Sequence, residues 1–259
     1  MGALNSEDPP RLIAPEQPKR QVWKFLGTAL WGLFAFAGLA VGQLAIVAYV
    51  VLRQREAVDI AEAIRAAAGS GTTISLSVIM GLPALLAALW LAIRFTTTPF
   101  ADYLALRWTS WKNLLIGIAG LLAVLAAWDL MSRALGRELA PDFMVEVLKS
   151  ARADRALWLL IIAFCVAAPV SEEVFARGFL YRGWSQSLVG PVGAILLSSL
   201  VWTGLHVQYN WYFFGEVFTL GLWFGYVRYR SGSTVLTILL HGLNNFGAVL
   251  QTIWLAGHW

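Results

Sequence analysis

Residues 25–52 hold no charged side chain, and Gln43 is the one strongly polar residue among them. An α-helix rises about 1.5 Å per residue, so about 20 apolar residues cross the hydrocarbon layer of a bilayer. Comparable blocks follow at 73–93, 114–132, 156–184, 191–209, 211–228 and 233–257. A soluble domain carries about 25% charged residues, whereas this chain is 13% charged and 59% hydrophobic. The expected fold is an all-α polytopic membrane protein, a bundle of seven transmembrane helices. An eighth is added if part of 133–155 enters the membrane. The 13 tryptophans suit a chain with many membrane interfaces.

The rest of the chain divides around these blocks. Residues 1–22, with Pro9, Pro10, Pro15 and Pro18 among polar residues, read as a disordered tail. No apolar run precedes the first span, so a cleavable signal peptide is not expected. Met1-Gly2 with Ser6 fits a myristoylation pattern that matters only in a host with the enzyme. Residues 23–155 hold the first three spans and an amphipathic stretch, 133–155, read as a loop with a short surface helix. Residues 156–257 hold the remaining spans. Gly81 and Pro83 are expected to kink the second span. Asp129 and Arg133, four residues apart, read as a helix-end ion pair. Gly221 and Gly225 form a G-x-x-x-G that reads as close helix packing. Cys165 reads as a small buried apolar residue. With the N-terminus inside, eleven of the 19 basic residues, Arg177, Arg182 and Arg228 among them, fall on inside segments, the side the positive-inside rule favours. A net charge of +4 is ordinary for such loops and does not argue for nucleic acid.

Against this apolar background stands the run Val170-Ser171-Glu172-Glu173-Val174-Phe175-Ala176-Arg177. A carboxylate at the centre of a membrane helix costs roughly 2.5–3.5 kcal/mol on insertion scales, so intramembrane ionisable groups are functional candidates by default. Glu173 and Arg177 are i and i+4, in the favourable order for an ion pair. Glu172 lies about 100° round the helix, free to face a cavity. Pro169 has no N–H to give the helix ladder, so a carbonyl near Cys165 is left open. His206 lies 17 residues beyond a turn expected near Val189, and Glu172 lies 17 before it. A helical hairpin would therefore set the two at the same depth. His241 and Asn245 share a face of the last span. Glu216, five residues into the sixth span, reads as a carboxylate reaching the headgroups, with lining of a substrate cavity as the alternative. A carboxylate, two imidazoles and an amide converging in a wet pocket suit hydrolysis: the carboxylate activates water and donors hold the oxyanion. The same groups could instead hold a metal that activates the water.

The ordered set Glu-Glu-x-x-x-Arg, aromatic-x-x-x-His and His-x-x-x-Asn on successive late helices resembles the CAAX-protease and bacteriocin-processing family, also called the Abi or type II CAAX prenyl endopeptidase family. The resemblance covers roughly 156–250. It implies a hydrolase of peptide bonds with an intramembrane catalytic cavity, labelled either a glutamate protease or a metalloprotease. Glu172 would activate water, with Glu173 and Arg177 supporting its position and charge. His206 would act with Glu172 on the water. His241 and Asn245 would face the oxyanion. If a metal such as zinc is used, Glu172, His206 and His241 would be its ligands, which would leave no separate carboxylate base; direct activation by glutamate is the favoured expectation. The family's second motif usually begins with Phe, whereas here it begins with Trp202, a position read as packing. The implied partners are the lipid bilayer and a membrane-associated peptide or protein substrate, lipidated in the prenyl-processing branch. The implied location is multi-pass in a membrane, the cell membrane in a bacterial host. Two other readings remain: a non-catalytic immunity or scaffold protein, and a proton-coupled transporter using the carboxylates as a relay.

Overall fold

The computed structural model describes residues 21–53 and 59–256, and among them every regular element is helical. In chain order these are α1 (Phe25–Arg53), α2 (Ile60–Gly69), α3 (Gly71–Arg94), α4 (Phe100–Tyr103), α5 (Trp111–Ala134), α6 (Asp142–Ala153), α7 (Leu157–Ser185), α8 (Gly190–Gly204), α9 (Trp211–Ser231) and α10 (Thr234–Ala256). The expected tail lies outside the described residues except for Gln21 and Val22, and the Gly2 pattern lies wholly outside them. Gln21 is anchored: its N–H donates to Thr97 Oγ1 at 2.8 Å and its carbonyl accepts from Thr98 Oγ1 at 2.7 Å.

Four helices, α1, α3, α5 and α7, are long and apolar enough to cross a membrane. The block expected to span 191–209 ends as a helix at Gly204, after 15 residues. That is about 22 Å of helix, short of a roughly 30 Å hydrocarbon layer. His206 therefore lies in the turn after α8, not on a helix. Helices α9 and α10 have 21 and 23 residues and carry much of the polar inventory, which lowers their hydropathy.

Packing relies on close backbone approach, as expected where lipid offers no hydrophobic drive between helices. On α1, a Cβ at Gly42 would lie 3.0 Å from the Met80 carbonyl oxygen of α3. Helix α3 stays helical through Pro83. The stretch read as a loop with a short surface helix contains α6, whose Met144, Val147, Leu148 and Ala151 are buried. A Cβ at Gly71 would meet the Val147 oxygen at 2.5 Å and the Ala151 nitrogen at 2.7 Å, and the Gly71 N–H donates to Ser150 Oγ at 3.0 Å. The Asp129–Arg133 pair closes the end of α5 at 2.8 Å.

Helix α7 positions the site, and it is irregular where it does so. Two π-helical stretches, Ala163–Ala167 and Val174–Leu180, flank the regular turn that holds Glu172 and Glu173. Pro169 cannot donate, and the first wide turn sits just before it. Such breaks survive at membrane depth when other groups take up the freed backbone. The Asn245 amide does so, donating to the Phe164 carbonyl at 2.8 Å. Arg228 does the same for the second stretch, its Nε donating to the Arg177 carbonyl at 3.1 Å. Counted as a loop charge from the sequence, Arg228 is in fact buried, with its guanidinium 5.2 Å from the Tyr181 ring centre.

The Gly71 contact predicts a clear contrast. Gly71→Val should destabilise the protein in detergent by about 1–3 kcal/mol, the usual result of overpacking. Gly69→Ala, where nothing lies within 4 Å of the added carbon, should change stability by less than about 0.5 kcal/mol. Unfolding of the two variants in one detergent checks both.

Candidate active site

The two adjacent carboxylates of α7 have different surroundings. Glu173 is fully buried, and its Oε1 accepts from Arg177 Nη1 at 2.8 Å and from His241 Nδ1 at 3.0 Å. Arg177, equally buried, sends Nη2 to the Gly221 carbonyl of α9 at 2.9 Å. A Cβ at Gly221 would lie 3.0 Å from Ser199 Cβ and 3.2 Å from the Trp202 ring. The G-x-x-x-G residue thus gives close packing and also exposes a carbonyl to the arginine. Glu172, about 100° round the helix, keeps 22% of its side chain exposed and lines a cavity of about 280 Å³.

Trp202 of α8 touches both halves of this arrangement. Its Nε1–H donates to Glu172 Oε2 at 2.5 Å. Its ring carries the Arg177 guanidinium at 4.6 Å from the ring centre, a cation–π contact. Trp202 is therefore more than the packing residue expected from the sequence. His206, one turn later, also lines the cavity. Its ring lies edge-on to Trp202 with centroids 5.1 Å apart, and its Nδ1 is 3.0 Å from the Trp202 carbonyl. A carbonyl only accepts, so Nδ1 carries the hydrogen and Nε2 is the free acceptor of a neutral ring. No hydrogen bond or ion pair joins His206 to Glu172 among the described residues; Trp202 makes that link.

His241 of α10 bridges the carboxylates. A carboxylate also only accepts, so Nδ1–H donates to Glu173, which turns Nε2 towards Glu172 Oε2 at 3.9 Å. Its ring stacks on Phe224 with centroids 5.5 Å apart. One turn on, Asn245 lines the same cavity. It gives one amide hydrogen to Phe164 and accepts from Asn244 Nδ2 at 3.1 Å. Its second amide hydrogen is left over. All six residues singled out from the sequence thus lie in or directly behind one cavity.

With that geometry in view, the comparison with known families is decisive for this region. Residues 154–247 match the family model described as type II CAAX prenyl endopeptidase Rce1-like. Over this segment the chain is similar to the CAAX-protease family. The segment opens just before α7 and closes two residues after Asn245, so it contains every residue of the arrangement above. No curated protein and no solved structure matches the chain. The matched family is one of peptidases, and the long apolar helices mark the chain as an integral membrane protein.

The cavity also admits residues that the sequence did not single out, or gave only a secondary reading. Glu216, for which lining a cavity was the alternative to reaching the headgroups, lines the cavity. The reason is the early end of α8: the turn over 205–210 brings the first turns of α9 against the site. Gln43 of α1, the lone strongly polar residue of the first span, lines it too, and so does the connection before α6 at Leu139 and Ala140. The only sequence signal for Gln43 was a polar residue where lipid would favour none.

As a metal centre the donors do not fit. Among the described residues, no three His, Cys, Asp or Glu side chains converge on a point an ion could occupy. The Nδ1 atoms of both histidines face hydrogen-bond acceptors, and Glu172 Oε2 is taken by Trp202.

Breaking a buried ion pair from one side strands a charge and costs about 3–5 kcal/mol. Arg177→Met should therefore lose about that much stability in detergent unfolding. The double variant Glu173→Gln with Arg177→Met should regain most of the loss, because no lone charge remains.

Proposed function

We propose that this chain is an intramembrane endopeptidase in which Glu172 activates the attacking water. The observation that carries the reading is the contrast within the pair. Glu173 is neutralised and fully buried, while Glu172 faces the cavity with one oxygen fixed by the Trp202 indole. An immunity or scaffold protein would need the first carboxylate to lock its helices and would have no use for the second. Helices α8, α9 and α10 complete the helical bundle around the site in this reading.

The residues divide the steps as follows. Trp202 fixes Glu172 Oε2, leaving Oε1 to accept a proton from water. His206 Nε2, free as an acceptor, receives a hydrogen bond from the O–H that the water keeps and so aims its lone pair. As water attacks the peptide carbonyl, the growing oxyanion meets the His241 ring at Nε2, a donor there when that nitrogen carries a hydrogen, and the spare amide hydrogen of Asn245. Fixed donors of this kind typically contribute about 10²–10³ in rate each. Glu172 then passes its proton to the leaving amine, as general acid after general base. Glu173 and Arg177 take no part in bond making. They hold His241 with its Nε2 towards the reacting groups. No step needs a metal, in keeping with a donor set that does not converge. The substrate is a membrane-associated peptide or protein, lipidated if the prenyl-processing branch applies.

Purified protein and a cleavable membrane peptide test this directly. Glu172→Ala should lower kcat by at least about 10³ while the melting temperature is kept; a folded variant that still cuts the peptide refutes the mechanism. Trp202→Phe keeps the ring and removes the N–H, so it should lower kcat by about 10-fold with little change in KM. Activity should persist after exhaustive chelation checked by elemental analysis.

A further inference from the structure

The cavity holds two carboxylates and has a use for only one. Glu172 is held by Trp202, whereas Glu216, on the first turns of α9, receives no hydrogen bond from any described residue. No lysine or arginine lines the cavity among the described residues. Asp129, whose charge Glu216 feels, is already held by Arg133 at 2.8 Å. Tyr209 lines the same cavity as Glu172 and Glu216, so both acids face one space. Glu216 is half-buried and lines the cavity. A peptide entering the cavity covers it, and a carboxylate cut off from solvent without a new partner is strongly disfavoured. The group arriving beside it must be a donor, and a cation gains most in a low-dielectric site. An anionic group there meets repulsion instead.

We propose that Glu216 is a specificity subsite for a cationic group of the substrate, a Lys or Arg side chain or a free N-terminal amine, close to the scissile bond. The proposal rests on the endopeptidase reading above and adds the substrate's charge to it. The active centre is then selective as well as hydrolytic: Glu172 acts on the bond and Glu216 chooses the peptide presented to it. A free carboxylate at the same position is selected against.

The test uses the full chain in detergent and fluorescent peptides of one apolar sequence. Lys, norleucine or Glu is placed at each position flanking the bond, with the N-terminus free or acetylated. Cleavage and binding anisotropy are both measured. Wild type should favour the Lys over the Glu peptide by about tenfold or more in kcat/KM and in affinity at one position. Glu216→Gln should reduce that ratio to within about threefold, and Glu216→Lys should reverse it. A preference that follows the free N-terminus and not the Lys identifies the amine as the cation. Cleavage with no charge preference, or a preference that survives Glu216→Lys, overturns the subsite and leaves the peptidase reading standing. Charge-selective binding without cleavage does the opposite. Neither binding nor cleavage of any peptide overturns both.

Discussion

The buried ion pair of Glu173 and Arg177 is the interaction on which the rest of the site depends. Both side chains are fully buried, so each is tolerable only because of the other. The pair also reaches further than one helix. Arg177 binds the Gly221 carbonyl on α9 and lies over the Trp202 ring from α8, while Glu173 holds His241 on α10. Four helices are thus registered by one charge pair, and the registration sets where the functional side chains point. His241 Nε2 faces Glu172 because Nδ1 is held by Glu173. The Trp202 indole reaches Glu172 while its ring carries the guanidinium.

A second constraint is the irregularity of α7. A regular helix through a membrane has no spare carbonyl for a neighbour. The π-helical stretches on both sides of the glutamates release some, and Asn245 and Arg228 engage them. Asn245 therefore joins α10 to the back of α7 and also lines the cavity. Stability and chemistry draw on the same polar groups. That arrangement follows where apolar burial alone gives helices little reason to choose one register over another.

What the sequence made visible was local. The Asp129–Arg133 and Glu173–Arg177 pairs follow from spacing on one helix, because i and i+4 always face together. The long apolar blocks gave α1, α3, α5 and α7 for the same reason of local length. Contacts between helices were harder. The expectation that Glu172 and His206 share a depth assumed an unbroken hairpin; α8 stops at Gly204, both residues line one cavity, and it is Trp202 that meets the carboxylate. Nothing in a single chain shows that an indole will face a glutamate 30 residues earlier. Glu216 sits where the sequence put it on its helix, and the cavity, the second of its two readings, is where it lies. Arg228 looked like a loop charge because its acceptor, the Arg177 carbonyl, exists only where a helix departs from regularity.

The central claim is that hydrolysis here is carried by Glu172 with its water on one side of the peptide and by His241 and Asn245 on the other. The most direct measurement is an experimental structure with a peptide phosphonate, a mimic of the tetrahedral intermediate, bound in the cavity. The account predicts one phosphonate oxygen against Glu172 and His206, and a second within hydrogen-bond distance of His241 Nε2 and the Asn245 amide. An inhibitor bound away from Glu172, or a metal ion held by Glu172, His206 and His241 at its centre, would contradict it.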